Sequence, residues 1–494
     1  MQFSFQTSAE IDNIFSRLKN HVEKQSLFCT KYLYLGVKIV RIQCYTSQIV
    51  PFLEQQLSYV LRDDAEQFDE TIVVWHEENL RDLIFSLSDK FNPQKNMRLR
   101  VEMICNGRQY PSIQVNHASL PVLHVSENFE CLEIYDRKNH FCYYGVNNFE
   151  PEEFIKQGHL FVQILNNLLK EDYLNLSHGA VIGVNGNGVL LCARGQRGKS
   201  TLCVRSLLNG FDYVSDDYQI LRQNEKKLFA YPIYSIITLS PKMYNEMYDI
   251  FEGKFCCNNA RKDKYVFNIA AYHSQFKTNY PIRLCLFPEI VSEPHPRIQK
   301  CSSEEKGRAI VQFIHSTVMQ MRDICDATVI KKLFNMVYAL PFYKINLSPC
   351  LAENTQCLKQ FLSTFSEEKS DSSPLGKILL DITFDLATFL DTETFTFYSL
   401  NKFATNVYQM LCSGVLPQEI TRLLTPLLEK NPSLLKEFET FLMILEKKGF
   451  LNSFSISQKP TLNLHFATEC YFRLSVMKFT QPQPTELINL KEKL

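Results

Sequence analysis

One short stretch carries residues whose types and spacing could together handle phosphate. It is the run Ala193-Arg194-Gly195-Gln196-Arg197-Gly198-Lys199-Ser200-Thr201, followed one helix later by the carboxylates Asp216-Asp217. Gly195 and Gly198 open backbone angles closed to side-chain-bearing residues, so successive N–H groups can turn inward around phosphate oxygens at a helix N-terminus. Lys199 would reach the outer phosphates, and the Ser200 hydroxyl would sit on a magnesium ion. Ala193 stands where such loops usually begin with glycine, one small residue for another. Two adjacent carboxylates can hold magnesium and orient or deprotonate a hydroxyl, the two tasks of phosphoryl transfer. Taken alone, the same pair would read as a solvated acidic turn.

The elements that must position these groups are legible on either side. Gly188 to Cys192 is a short apolar run of buried-strand type leading into the loop. Leu202 to Leu208 continues as a helix with Leu202, Leu207 and Leu208 inward, and Asn209-Gly210 supplies its stop. Phe211 to Ser215 reads as the next strand. It delivers Asp216-Asp217 at its carboxyl end, the edge at which ligands of open α/β sheets sit.

With these motifs in hand, the stretch resembles the catalytic domain of HPr kinase/phosphorylase and the wider phosphoenolpyruvate-carboxykinase-like group. The resemblance rests on Ser177-His178-Gly179, the glycine turn Asn185-Gly186-Asn187-Gly188, the phosphate loop, and Ser215-Asp216-Asp217. It implies ATP contact along residues 193–201, magnesium at Ser200 and one of Asp216 and Asp217, and a catalytic base at the other. It also implies that His178 sits near the phosphates; a histidine satisfied by hydrogen bonds between strands is the alternative. Arg194 and Arg197 depart from the family pattern and either grip phosphate or stay solvated. The glycine-rich signature by which HPr kinases handle their carrier protein has no counterpart between Tyr231 and Ser302, so the substrate does not carry over.

The whole chain sets bounds on the reading. Its 494 residues, 45% of them hydrophobic, suffice for several sizeable cores. Lys plus Arg and Asp plus Glu each number 53, which gives no broad attraction to nucleic acid or to a membrane surface. The 16 cysteines are scattered without metal-site spacing and are expected as reduced thiols. Neither an export signal nor a long apolar segment is read, so the expectation is a cytoplasmic protein with no membrane and no nucleic acid among its partners.

The fold class expected is α/β, with the phosphate-loop core flanked by two modules. Residues 1–150 read as a mixed α/β accessory domain. It has one strand over Tyr32 to Cys44, a helix from Pro51, a strand over Glu70 to Trp75, a short helix through Ile84, and strand-like runs from Arg98 to Val146. His117, His124 and His140 are read as ordinary histidines. Residues 151–366 form the nucleotide domain, opened by a helix from Pro151 to about Leu169. It continues after the acidic pair with strands through Leu239, a basic loop over Gly253 to Lys264, and helices begun by the capping box Ser302 to Glu305. Residues 367–376 are a polar linker, and 459–494 a C-terminal extension.

The module between them, 377–458, reads as α+β. Strands over Ile378 to Phe384 and Phe395 to Tyr398 precede three helices, with Phe403, Val407, Leu411, Ile420, Leu423 and Leu424 inward. It resembles PqqD-like winged-helix domains in Ser399-Leu400-Asn401, Gly414 and Lys448-Gly449-Phe450-Leu451. That resemblance implies capture of a precursor leader peptide as an added strand. The expectation is an ATP- and Mg2+-dependent kinase acting on a Ser or Thr hydroxyl of a peptide or protein. The alternative is a nucleotide-binding scaffold or peptide chaperone without catalysis.

Overall fold

In the computed structural model the residues described are 8–36, 38–87, 101–105, 108–115, 122–125, 131–136, 139–147, 159–169, 174–195, 197–225, 227–245, 256–261, 264–320, 327–366, 375–383, 386–427, 431–451, 473–477 and 487–489. The chain divides into two compact units. The first is Met1–Lys300 with Ser316–Ile324 and Met336–Asp371; the second is Cys301–His315 with Cys325–Asn335 and Ser372–Leu494. Several sheets and helices make up a mixed α/β protein. Among the described residues, no helix is long and apolar enough to cross a membrane.

The first unit begins with helix α1 (Ser8–Val22), strands β1 (Cys29–Tyr34) and β2 (Ile39–Cys44), helix α2 (Val50–Leu57), β3 (Leu61–Arg62), β4 (Glu70–His76) and α3 (Leu80–Leu87). Strands β5 (Val101–Cys105), β6 (Arg108–Val115), β7 (Val122–Val125), β8 (Cys131–Asp136) and β9 (Phe141–Val146) complete a nine-stranded sheet in the order β3-β1-β2-β4-β9-β8-β7-β6-β5. β4 is parallel to both neighbours, β2 and β9. A strand so placed is covered on both faces, which explains its unbroken run Thr-Ile-Val-Val-Trp. The single strand expected over Tyr32 to Cys44 is instead the antiparallel hairpin β1–β2, because Gly36 at φ +81° reverses the chain.

Helix α4 (Val162–Leu169) follows; the helix expected from Pro151 does not run through His159 to Phe161, where Phe161 takes φ +63° and turns the chain, and residues 151–158 lie outside the described residues. Strands β10 (Leu174–Val184), β11 (Asn187–Leu191), helix α5 (Lys199–Leu208), β12 (Asp212–Asn224), β13 (Lys227–Pro232), β14 (Ile236–Leu239), β15 (Cys256–Arg261), β16 (Lys264–Asn268), β17 (Tyr280–Ile290), β18 (Arg297–Lys300), helices α6 (Ser303–Gln320) and α7 (Ala327–Tyr338), β19 (Phe342–Leu347) and α8 (Leu351–Thr364) then alternate. The central sheet runs β11-β10-β12-β13-β17-β19-β18, with β11 also parallel to β17. β14 does not continue this sheet as expected but joins a separate one, β14-β16-β15. The segment expected as a basic loop therefore contains strand β15. Alternation is obscured there by the polar run Asn258-Asn259 and the neighbouring Arg261.

The expected boundary at 150/151 does not interrupt the packing. Leu33, Ile42, Leu53, Ile72 and Tyr144 share one buried cluster with Leu165, Leu176, Ile220, Tyr234 and Val266. A second cluster packs Leu202, Cys203 and Leu207 of α5 against Ala180, Val189, Tyr213 and Leu286 of the central sheet. Burial of this kind stabilises by roughly 25 cal/mol per Å2 of apolar surface. Leu208, expected inward, is only partly buried at the margin of that cluster.

The second unit contains strands β20 (Ile378–Thr383), β21 (Leu386–Asp391) and β22 (Thr396–Leu400), helices α9 (Lys402–Cys412), α10 (Pro417–Leu424) and α11 (Leu434–Lys447), and strands β23 (Arg473–Met477) and β24 (Leu487–Asn489). Their sheet order is β20-β21-β22-β23-β24, so the two strands expected before the helices are three, in a meander. β21 was hidden because Leu386 to Asp391 is a mostly apolar run without alternation, buried on both faces from Ala387. Two strands beyond residue 458 extend this sheet, and most of the linker expected over 367–376 lies outside the described residues. Asn401 caps α9 by accepting from the Ala404 N–H. Leu423, expected inward, is 39% exposed, whereas Ile420 and Leu424 are buried. On this short helix the inward stripe is one residue wide per turn.

Candidate active site

Each group singled out from the phosphate-loop stretch is carried by an element whose local sequence explains its shape. Asn185 (φ 52°) and Gly186 (φ 79°) form the two-residue turn between β10 and β11, the left-handed pair that a tight hairpin demands. β11 then runs parallel to β17, and the Cys192 N–H continues the ladder to the Leu286 carbonyl. The chain leaves the sheet there, and after Gly198 it enters α5 at Lys199. Gly198 takes φ +89° at the helix N-cap. A Cβ at Gly198 would also come within 2.6 Å of the Leu347 Cδ1 methyl, which would have to shift, so the conformation requires glycine and the packing favours it. Gly195 is exposed with open space around it, and Gln196 lies outside the described residues.

Lys199 is 6% exposed, and its ammonium donates to the carbonyls of Ala193 (2.5 Å) and Arg194 (3.2 Å). It thus closes the loop on itself from inside. Burial pushes the Lys199 ammonium below its ordinary range, while the charges of Asp217 and then Asp216 pull it back. Ser200, next along, donates through Oγ to Asp216 Oδ1 at 3.2 Å.

The acidic pair does not sit at the end of a strand, as expected, but in the middle of the continuous strand β12. β12 is antiparallel to β10 rather than one of a parallel set, with Gly179 opposite Asp217 and Ala180 opposite Asp216. Two local irregularities re-aim it. The register against β10 slips between Val181/Ser215 and Ile182/Tyr213, a bulge just before the carboxylates. Asp217 itself takes φ +75°, a left-handed conformation that costs a non-glycine residue of order 1–3 kcal/mol. Strict alternation would send consecutive side chains to opposite faces. Here Asp216 meets Ser200, while Asp217 and Asp216 both act on Lys199.

His178 lies opposite Tyr218 in the β10–β12 ladder. Its ring packs edge-to-face on Tyr218 with centroids 5.4 Å apart, and its backbone N–H donates to Thr317 Oγ1 at 3.0 Å. Ser177 and Ser215 are joined through the Gln219 amide, at 2.7 and 2.8 Å, in a fully buried bridge beneath the site. Two residues that the sequence reading did not single out also reach the acidic pair. Thr238 donates to Asp217 Oδ2 at 3.2 Å, and His159 Nε2 stands 3.9 Å from the same oxygen. No linear motif announces either; both depend on β14 and on the segment before α4 folding back on β12. Arg194 and Arg197 are half-buried rather than fully solvated.

The donor set suits a hard cation. Ser200 and two carboxylates are oxygen ligands of the kind magnesium takes, in small number, with phosphate and water completing its shell. Among the described residues no group of three or more His, Cys, Asp or Glu gathers as a closed metal cage.

No protein-family model matches the chain, and no curated protein matches it. Among solved structures, it is similar to the HPr(Ser) kinase/phosphatase from Coxiella burnetii, with 11% sequence identity, a TM-score of 0.22, and coverage of 38% of this chain and 89% of that one. A likeness at that score carries no functional weight.

Proposed function

We propose that the protein is an ATP-dependent phosphotransferase that moves the γ-phosphoryl group onto a Ser or Thr hydroxyl of a peptide or protein. One observation carries the reading: a lysine and a serine at the start of a helix, behind a left-handed glycine, converge with a carboxylate pair on the neighbouring strand. The loop N–H groups and the N-terminus of α5 would cradle phosphate oxygens, and Lys199 would exchange its carbonyl partners for them. Ser200 and Asp216 would hold magnesium, which when bound neutralises charge on the transferring group. Asp217 is then available to take the proton of the acceptor hydroxyl as its oxygen bonds to the γ-phosphorus and ADP departs.

Calorimetric titration of the full-length protein with Mg-ATP tests this directly. Saturable binding is expected in wild type, and Lys199→Ala should reduce turnover by on the order of 100-fold or more, as loss of a preorganised donor does. No heat at millimolar nucleotide would remove the reading. Binding without transfer to any peptide would favour a scaffold. The second unit, with its helices α9–α11 on a meander, is proposed to hold a leader segment of the substrate, which would raise the effective concentration of the acceptor. Fluorescence anisotropy of labelled candidate leader peptides with the intact chain measures this.

A further inference from the structure

His159 and Thr238 lie far apart in sequence yet meet at one oxygen of Asp217. Each is held in place from behind. The His159 ring, 8% exposed, is clamped edge-to-face by Tyr234 at 4.4 Å and by Tyr218 at 4.7 Å. Its backbone neighbour is pinned on both sides. The Leu160 N–H donates to the buried Gln56 side chain of α2 at 2.9 Å, and the Leu160 carbonyl accepts from the Tyr234 hydroxyl at 2.7 Å. Phe161 then takes φ +63°, which turns the chain sharply at this point. Thr238 is fixed by the ladder in which it pairs with Val266 of β16.

This scaffolding converges on the residue whose backbone is strained. A left-handed aspartate in mid-strand persists only where its surroundings over-determine it. Here the surroundings include one hydroxyl donor at 3.2 Å and one imidazole nitrogen at 3.9 Å on a single carboxylate oxygen, Asp217 Oδ2. We infer that His159 and Thr238 are positioning residues that hold the Asp217 carboxylate in the orientation phosphoryl transfer requires, with the accessory segment acting on the site through Gln56 and the Leu160 backbone. The inference rests on the phosphotransferase reading and adds to it a role for the first 150 residues in the chemistry.

The test compares full-length wild type with His159→Phe, which keeps a ring between the two tyrosines, Thr238→Val, which removes only the hydroxyl, Thr238→Ser, which restores it, and Asp217→Asn. Hydrolysis of Mg-ATP is followed to separate kcat from KM. Positioning of a general base predicts kcat losses of roughly 10- to 100-fold in His159→Phe and Thr238→Val, part of the roughly 100- to 10,000-fold that such a base supplies. KM should stay within about threefold, since uniform binding is untouched. Thr238→Ser should recover most of the rate, which a merely structural role would not single out. Crystal structures of the same variants read the geometry without turnover: the Asp217 carboxylate should be rotated in His159→Phe and Thr238→Val and in place in Thr238→Ser. An unmoved carboxylate in both variants overturns the inference, as does wild-type kcat in both where Asp217→Asn is inactive. Full activity of Asp217→Asn is a different failure, which removes Asp217 from the mechanism and the positioning role with it.

Discussion

At the scale of single residues, the site is governed by the burial of one cation among carbonyls and carboxylates. Burial lowers the Lys199 proton affinity in the free protein, against the pull of Asp217 and Asp216. Triphosphate oxygens would add negative charge beside the ammonium and raise that affinity again. The bound state then holds more protons than the free one between the lowered and the restored value, so nucleotide affinity must fall as pH rises through that window. Calorimetry in buffers of different ionisation enthalpy should register proton uptake on binding, and Lys199→Met should abolish the buffer dependence. The carboxylates are expected to behave unlike each other. Asp216→Asn, which alters the partner of Ser200, should weaken Mg-ATP binding; Asp217→Asn should leave binding within about threefold and remove transfer. Equal effects of the two on affinity, measured by calorimetry with and without magnesium, would dissolve the division of labour.

Among the elements, two glycines separate backbone need from packing need. A Cβ at Gly186 would meet nothing within 4 Å, so Gly186→Ala tests the left-handed turn alone and should lower stability by about 1 kcal/mol. A Cβ at Gly198 would meet Leu347 as well as the strained angle, at the point where α5 begins. Gly198→Ala is therefore expected to abolish Mg-ATP binding while thermal unfolding shifts only modestly, because the loop can relax away from the core. Both glycines were legible in sequence, Gly198 from the phosphate-loop spacing and Gly186 from the glycine turn on which the family resemblance rests. The course of β12 was not. Consecutive aspartates read as a strand end, whereas the chain continues through them because β10 pairs on either side of the bulge.

Across the whole molecule, neither unit is a continuous piece of chain. The second unit takes Cys301–His315 and Cys325–Asn335 from within the first. Its own interior shows how firmly they belong. Asp381 of β20 is fully buried and accepts from the Gln312 amide at 2.7 Å, from Arg308 at 3.4 Å and from Thr383 at 3.0 Å. Asp381→Ala removes the acceptor shared by these groups and should cost about 2–3 kcal/mol, below the full value for a buried pair because Arg308 is partly exposed. Thermal unfolding checks it. Deleting the chain from Ser372 onward would strip α6 of the Leu379 contact at Gly307 and of Asp381 together. That truncation is expected to yield an aggregation-prone protein rather than a clean nucleotide domain.

What the sequence by itself determined is local. The phosphate loop, its flanking strand and helix, the Asn-Gly hairpin, the Ser302–Glu305 capping box, seen as reciprocal bonds of 2.9 and 3.2 Å, and the Asn401 cap are all set by residues within a few positions of one another. Only the tertiary structure decided that the hairpin β1–β2 replaces one strand, that β21 exists, that the acidic pair lies in mid-strand, and that His159 and Thr238 stand over Asp217. The last two outcomes depend on pairing and packing between segments distant in the chain, and the first two on which faces of neighbouring strands are covered. A sequence pattern records the residue's preference but not its neighbours.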